Sequence, residues 1–110
     1  MMKERLSLHK VLTIAGSDSG GGAGIQADIK TITTLGGYAT TVITALTAQN
    51  TLGVQSILEV PASFVAQQID AIMTDIGTDA VKTGMLQNKG IVDVVSLKIK
   101  EYNIKCVVVD

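Results

Sequence analysis

Short apolar, β-branched runs alternate with longer amphipathic segments along this chain. The runs predict five strands, over Val11–Ala15, Ala39–Leu46, Val54–Val60, Asp79–Met85 and Ile104–Val109. The amphipathic segments predict three helices, over residues 25–35, Ser63–Ile76 and Gly90–Tyr102. Strands that alternate with helices of this length are typical of βαβ units, which pair in parallel with right-handed crossovers. We therefore expect an α/β fold, a doubly wound three-layer sandwich with a mostly parallel sheet.

The helical spacing also identifies the side chains that should face the sheet. They are Ile25, Ile29, Ile32 and Leu35, then Phe64, Ile69, Ile72, Met73 and Ile76, and finally Ile91, Val94, Val95 and Ile99. The last strand is expected to be buried, with Cys106 as an inert core residue. No helix follows Asp110, and a parallel sheet is normally covered on both faces. We therefore expect the chain to stop within its fold.

Charged residues are almost absent from the first half of the chain. Between positions 11 and 58 only Asp18, Asp28 and Lys30 are charged, so we expect these strands to be buried on both faces. Residues 29–58 include eight threonines and are too polar to span a bilayer.

Composition narrows the class of protein. Of the 110 residues, 46% are hydrophobic and 17% charged, which excludes intrinsic disorder as the main state. The formal net charge of −1 gives no support for a nucleic-acid or anionic-membrane partner. Met1–Leu12 lacks the features of a secretory signal, and one cysteine cannot form an internal disulfide. We expect a cytoplasmic, enzyme-like chain.

Glycines and polar residues follow directly after four of the predicted strands. These strand ends are Gly16–Asp18, Thr47–Asn50, Gly84–Met85 and Asp110. In open parallel sheets, ligands bind in the crevice beyond the carboxyl ends of the strands. The pattern therefore predicts a ligand site at this edge, where a glycine-rich loop, an amide pair, a methionine and a carboxylate converge.

The segment Ser17–Gly24 (SDSGGGAG) predicts a loop that opens onto a helix N-terminus. It is not a P-loop, because Gly22 and Ala23 stand where that motif needs Lys and Ser or Thr. A dinucleotide fingerprint fails as well, because no acidic residue occurs between positions 29 and 58. We expect the backbone N–H groups of this loop to approach a small ligand, with negative charge favoured. A tight turn without a ligand is the alternative.

Single residues at this edge have both functional and structural explanations. Gln49 carries an amide that complements an aminopyrimidine edge; a solvated turn residue is the alternative. Asp28 either serves the site or complements the helix dipole, and Met85 packs either on a flat ring or in the core. Lys82 interrupts a strand and could pair with a carboxylate. With His9 as the only histidine, expected at the surface, and one cysteine, we expect no zinc site.

Four motifs cover nearly the whole chain from residue 11. They are TIAGSDSGGGAGIQAD (13–28), VITALTAQNTLGVQ (42–55), VKTGML (81–86) and VVVD (107–110). In this order they resemble the hydroxymethylpyrimidine/phosphomethylpyrimidine kinases of thiamin biosynthesis, which belong to the ribokinase superfamily. The resemblance implies a ribokinase-like fold, with residues 1–110 forming the N-terminal part of a single kinase domain. It also implies transfer of the ATP γ-phosphate, with Mg²⁺, to 4-amino-5-hydroxymethyl-2-methylpyrimidine and to its monophosphate.

The same resemblance implies roles for individual residues. Gln49 matches the glutamine that hydrogen-bonds the pyrimidine edge, and Ala23, Thr47 and Met85 match positions that line the ring pocket. Family members often have an aliphatic residue where Thr47 stands. Asp28 matches an acidic residue near the substrate.

Asp110 matches the aspartate of a D-P-V-M motif close to the magnesium and the phosphates. The family's glycine-rich anion hole and catalytic cysteine lie in a C-terminal part, beyond residue 110, and Cys106 is not that cysteine. We therefore assign no catalytic residue to this chain and expect it alone to bind pyrimidine weakly and not to catalyse transfer. Pyridoxal kinase activity and a non-catalytic ligand-binding fragment are the alternatives. The expected partner is a small-molecule pyrimidine, and a homodimer is left open.

Overall fold

The computed structural model describes residues 8–110. Most of the N-terminal segment considered above for a signal peptide lies outside the described residues. All eight predicted elements are present. In chain order they are β1 (Lys10–Ser17), α1 (Gly24–Thr34), β2 (Tyr38–Asn50), β3 (Gly53–Glu59), α2 (Ala62–Met73), β4 (Ala80–Thr83), α3 (Lys89–Glu101) and β5 (Val107–Val109).

The five strands form one sheet in the order β3-β2-β1-β4-β5. β1 pairs in parallel with both β2 and β4, and β4 pairs in parallel with β5. Only β3 is antiparallel, because it returns beside β2 in a hairpin. The predicted α/β fold with a mostly parallel sheet is confirmed.

The helices lie in two layers on opposite faces of the sheet. Leu12 and Ile14 of β1 belong to a core cluster with α2 and α3, whose buried members include Ile69 and Val95. Thr13, between these two strand residues, contacts α1 instead. Since successive side chains of a strand point to opposite faces, α1 covers one face while α2 and α3 cover the other. The three-layer arrangement follows.

Three side chains predicted to face the sheet are exposed, and Ile29 is the least exposed of them at 37%. Leu35 is 82% exposed because α1 ends at Thr34, and Gly36 then takes a positive φ of 87° that ends the helix. Phe64 is 52% exposed. The inward stripe of α2 runs through Val65 and Ile69, and Val65 is turned about 100° from Phe64 on the helix. These three predictions were wrong.

The last strand is at the edge of the sheet and is not buried. All three residues of β5 are exposed, with Val109 at 79%, and Cys106 before it is exposed as well. The prediction of a buried strand with a core cysteine was therefore wrong. The physical reason is that β5 is the edge strand of the described sheet, paired only with β4, and its side chains are left exposed.

The hairpin of β2 and β3 also departs from expectation. β2 continues as a strand through Asn50, so that Thr47–Asn50 lies inside the strand and not in a loop after it. Six of the seven residues of β3 are exposed. The expectation of burial on both faces holds for the middle of β1 and fails for this hairpin.

Candidate functional site

A cavity of about 310 Å³ opens at the carboxyl ends of β1 and β4, beside the β2–β3 hairpin. Its lining contains five of the six predicted site residues, namely Ala23, Thr47, Gln49, Met85 and Asp110. The sixth, Asp28, does not line it. The structure therefore brings together side chains that are up to 87 positions apart in the sequence (110 − 23). Their roles toward a ligand stay predictions.

The glycine-rich loop folds around the carboxylate of Asp18. Asp18 Oδ1 accepts a hydrogen bond from Gly20 N at 2.7 Å, and Oδ2 accepts from Gly22 N at 2.9 Å and Ala23 N at 2.8 Å. Asp18 is only 7% exposed. These three N–H groups were expected to face a ligand, and that expectation is corrected. The concave set of amides attracts an anion, but the chain supplies that anion itself.

Two glycines let the loop and the strand ends approach closely. Gly24 has a positive φ of 60°, and a Cβ there would collide with the Gly16 carbonyl. A Cβ on Gly16 would lie 2.6 Å from the terminal carbon of Met85. Met85 is 43% exposed and lines the cavity, so it is not the core residue of the alternative explanation. Glycine at position 16 leaves room for the methionine beneath the opening.

The hairpin is joined to the loop by Ser19 and Thr47. Gln49 N donates to Ser19 Oγ at 2.7 Å, and Ser19 Oγ donates to Gln49 O at 2.6 Å. Thr47 Oγ1 lies 2.7 Å from Ser17 O and 3.1 Å from Gln49 Oε1, so one hydroxyl proton serves two acceptors. The Gln49 side-chain nitrogen has no hydrogen-bond partner among residues 8–110. Two amide donors therefore remain available at the cavity wall.

Lys82 is the functional candidate that the sequence pattern did not resolve. It lines the cavity, and its Nζ lies 3.0 and 2.9 Å from the two carboxylate oxygens of Asp28. Thr13 Oγ1 donates to Asp28 Oδ2 at 2.6 Å. On the other side, Asp110 Oδ2 is 3.6 Å from Lys82 Nζ. The available signal was a lysine beside the apolar pair Ala80–Val81 within a strand, since a charge that is largely buried needs a partner.

A model of one protein family matches most of the chain. The phosphomethylpyrimidine kinase family matches residues 18–110. The chain belongs to this family. The predicted resemblance is therefore confirmed, and ATP is the phosphate donor that a kinase family of this kind implies.

Relatives and solved structures agree with the assignment to the family. The hydroxymethylpyrimidine/phosphomethylpyrimidine kinase of Bacillus subtilis is 54% identical over 105 residues, which are 96% of this chain and 39% of that protein. The crystal structure of phosphomethylpyrimidine kinase from Clostridium difficile superposes with a TM-score of 0.89 at 48% identity, covering 93% of this chain and 44% of that one.

A pyridoxal kinase shares the architecture. The Staphylococcus aureus enzyme, solved in complex with AMP-PCP and pyridoxal, superposes with a TM-score of 0.85 at 37% identity. The match covers 94% of this chain and 38% of that one. The chain thus spans about two fifths of the length of these relatives. The ribokinase-like fold inferred from the motifs is confirmed.

The remaining predictions concern metals and membranes. Within residues 8–110, no cluster of three or more His, Cys, Asp or Glu side chains could hold a metal ion. None of the described helices has the length and apolarity needed to cross a bilayer. His9 is at the surface, as predicted, with its side chain 98% exposed.

Proposed function

We propose that the protein carrying this chain phosphorylates 4-amino-5-hydroxymethyl-2-methylpyrimidine and then its monophosphate, with ATP as donor. Residues 8–110 supply the pyrimidine-binding half of the site. The observation that carries the proposal is the cavity itself, because its wall presents the unpartnered side-chain nitrogen of Gln49 and its floor presents the thioether of Met85. A flat aminopyrimidine needs those two features, polar groups at its edge and an apolar surface against its face.

Each lining residue has a role that suits such a ring. Gln49 Nε2 donates to a ring nitrogen, while its carbonyl oxygen accepts from the exocyclic amine. Met85 packs against the ring face through a polarisable sulfur. Ala23 and Thr47 close the sides of the pocket, and Thr47 also holds the Gln49 amide in plane through the 3.1 Å contact.

Phosphoryl transfer joins the hydroxymethyl oxygen of the substrate to the γ-phosphorus of ATP. The bond from that phosphorus to the β–γ bridging oxygen breaks, ADP leaves, and the hydroxyl proton is lost to a base. Cys106 lies on the sheet edge and does not line the cavity, so it is not that base. We propose that the anion hole and the base belong to the part of the kinase domain beyond residue 110, and that residues 1–110 alone do not catalyse transfer.

Asp110 is the residue that would hold Mg²⁺ with the nucleotide. Its carboxylate lines the cavity and is 77% exposed. Mg²⁺ is usually bound through one or two carboxylates together with substrate phosphates and water, so one carboxylate in this position fits. When bound, the ion neutralises charge on the phosphate oxygens. This role is supported by the absence of a strong competing partner for the carboxylate within residues 8–110, since Lys82 Nζ is 3.6 Å away.

Location and assembly complete the proposal. A cytoplasmic location is supported by the single cysteine, because cytoplasmic proteins rarely depend on disulfides. A homodimer is supported by exposed leucines on the hairpin, where Leu52 is 90% and Leu58 66% exposed.

The decisive experiment incubates the protein that carries this chain with ATP, Mg²⁺ and hydroxymethylpyrimidine. We expect phosphorylated pyrimidine, followed by the diphosphate, in ³¹P NMR spectra. The matched control is 4-amino-2,5-dimethylpyrimidine, which lacks the hydroxyl and should yield no product. An intact, folded protein that forms no phosphorylated pyrimidine contradicts the proposal.

Pyridoxal is the second candidate substrate, favoured by the architecture shared with the S. aureus pyridoxal kinase. Comparison of kcat/KM for pyridoxal and for hydroxymethylpyrimidine separates the two. We expect the pyrimidine to be preferred, and a higher kcat/KM for pyridoxal reverses the assignment.

A further inference from the structure

Lys82 carries the only positive charge among the described residues that line the cavity. The other two ionisable lining residues are Asp18 and Asp110. Asp18 is fully engaged with the amides of its own loop. The charge that a negatively charged ligand meets inside the cavity is therefore set by Lys82 and by whatever neutralises it.

The partners of Lys82 differ sharply on its two sides. An ammonium group has three N–H donors, and the two oxygens of Asp28 lie within 3.0 Å of it. Asp28 is itself held by Thr13 at 2.6 Å and is 18% exposed, so this side is fixed. Toward the cavity the nearest partner is Asp110, at 3.6 Å and 77% exposed. That distance is beyond a hydrogen bond, so one donor of Lys82 has no hydrogen-bond partner among residues 8–110.

An ion pair that only stabilised the fold would not need an ammonium donor directed into the cavity. Replacing a buried ion pair by apolar residues of similar volume is often neutral or stabilising, because desolvation offsets the attraction. A lysine that served only Asp28 could direct all its donors inward. Here the Lys82 side chain remains 23% exposed at the cavity surface, and its ammonium faces an exposed carboxylate that ligands or solvent can displace.

We propose that Lys82 binds a phosphate oxyanion in the cavity, and that Asp28 is the positioning residue that holds the ammonium in place. This inference rests on the proposed function and identifies one of its phosphate contacts. The oxyanion replaces Asp110 as the third neighbour of Lys82, which leaves Asp110 available to Mg²⁺. The phosphate has two sources: the monophosphate substrate of the second reaction, or the phosphoryl group that ATP delivers in both reactions.

The test compares Lys82→Met with Lys89→Met in the protein that carries this chain. Lys89 is a matched control, since it pairs with Asp93 at 2.8 Å but is exposed and does not line the cavity. Steady-state kcat and KM are measured with hydroxymethylpyrimidine and with its monophosphate. A charge-assisted hydrogen bond contributes about 1.5–3 kcal/mol, so we expect losses of roughly 10- to 100-fold in Lys82→Met.

The pattern of loss identifies the source of the phosphate. A higher KM for the monophosphate, with unchanged kinetics for hydroxymethylpyrimidine, supports a contact to the phosphate of the substrate. A lower kcat with both substrates supports a contact to the phosphoryl group of ATP. Lys82→Arg, which keeps the charge, should recover part of either loss. Kinetics of Lys82→Met equal to those of Lys89→Met overturn the inference.

Two further measurements separate binding from folding. Lys82→Met leaves the Asp28 charge unpaired, so the neutral double variant Lys82→Met/Asp28→Asn is measured beside it and should show the same loss. In thermal unfolding, the ligand whose phosphate Lys82 contacts, the monophosphate or a non-hydrolysable ATP analogue, should raise the midpoint of the unmutated protein more than that of the double variant. If the unmutated protein neither binds nor phosphorylates pyrimidines, the proposed function fails as well; an active unmutated protein with an unaffected double variant overturns the inference alone.

Discussion

β1 and the β2–β3 hairpin are both apolar strand segments with few charges, yet they differ in burial in the folded protein. Four consecutive residues of β1, Leu12 to Ala15, are at most 1% exposed, whereas Leu52 at the turn of the hairpin is 90% exposed. β1 is central, with a strand on each side and helices on both faces. From Leu46 to Glu59, no residue of the hairpin is buried. Hydrophobic patterning thus identifies a strand, and the neighbours of that strand decide its burial.

The consequence for function is that the cavity lies between these two regions. The buried centre supplies a fixed floor, with the Lys82–Asp28 pair, while the exposed hairpin supplies a wall that carries Gln49. A buried floor and a more exposed wall suit the function proposed above, in which the site would position a small ring for reaction.

The largest expected effect tests the contrast in burial directly. Leu12→Ala removes a fully buried side chain and should lower the free energy of unfolding by about 2–5 kcal/mol. Leu52→Ala, the same change at a 90% exposed position, should alter it by less than about 0.5 kcal/mol. Urea unfolding followed by circular dichroism measures both. Equal losses would show that the hairpin is as well packed as the centre.

A second effect concerns the wall of the cavity. Gln49→Ala should weaken pyrimidine binding by roughly 1–3 kcal/mol, because polar groups of the bound ring lose their partner. Gln55→Ala, an exposed glutamine on β3 that does not line the cavity, is the control and should leave binding unchanged. Isothermal titration calorimetry gives both dissociation constants. An unaltered constant for Gln49→Ala excludes the proposed contact.

The smallest expected effect is on the pH dependence of stability, and it concerns Asp70 between α2 and α3. Hydrogen bonds from Lys98 and then from Tyr102 hold the pKa of Asp70 below its ordinary value of 3.8. Because the folded-state pKa is depressed, this contribution is complete above the ordinary value. It is lost as the pH falls from there through the folded-state pKa. Asp70 is 41% exposed, so solvent screening keeps the effect small.

Asp70→Asn should therefore flatten the dependence of stability on pH below about 4. Asp75→Asn, which alters an exposed carboxylate just beyond α2, serves as the control. Urea midpoints measured from about pH 2.5 to pH 7 provide the comparison. We expect the two variants to differ within about one pH unit of the ordinary aspartate pKa. If the urea midpoints of both variants fall in the same way at acidic pH, Asp70 has no role in linking α2 to α3.

Contacts between distant parts of the chain explain which parts of the candidate site were predictable from the sequence. Gln49 and Met85 follow from motifs and from the rule that ligands bind at strand ends. The loop amides were misjudged because the Asp18 side chain folds back onto them. Lys82 was unresolved because its partner Asp28 lies 54 positions away, on α1.

The sequence by itself determined the order and type of all eight elements, since helix and strand periodicities are local properties of the chain. It also determined the family, because the motifs are long and contiguous. Only the tertiary structure decided that β5 and Cys106 are exposed and that Lys82 faces the cavity. Burial and ion pairing depend on which distant segments become neighbours, and no local pattern encodes that choice.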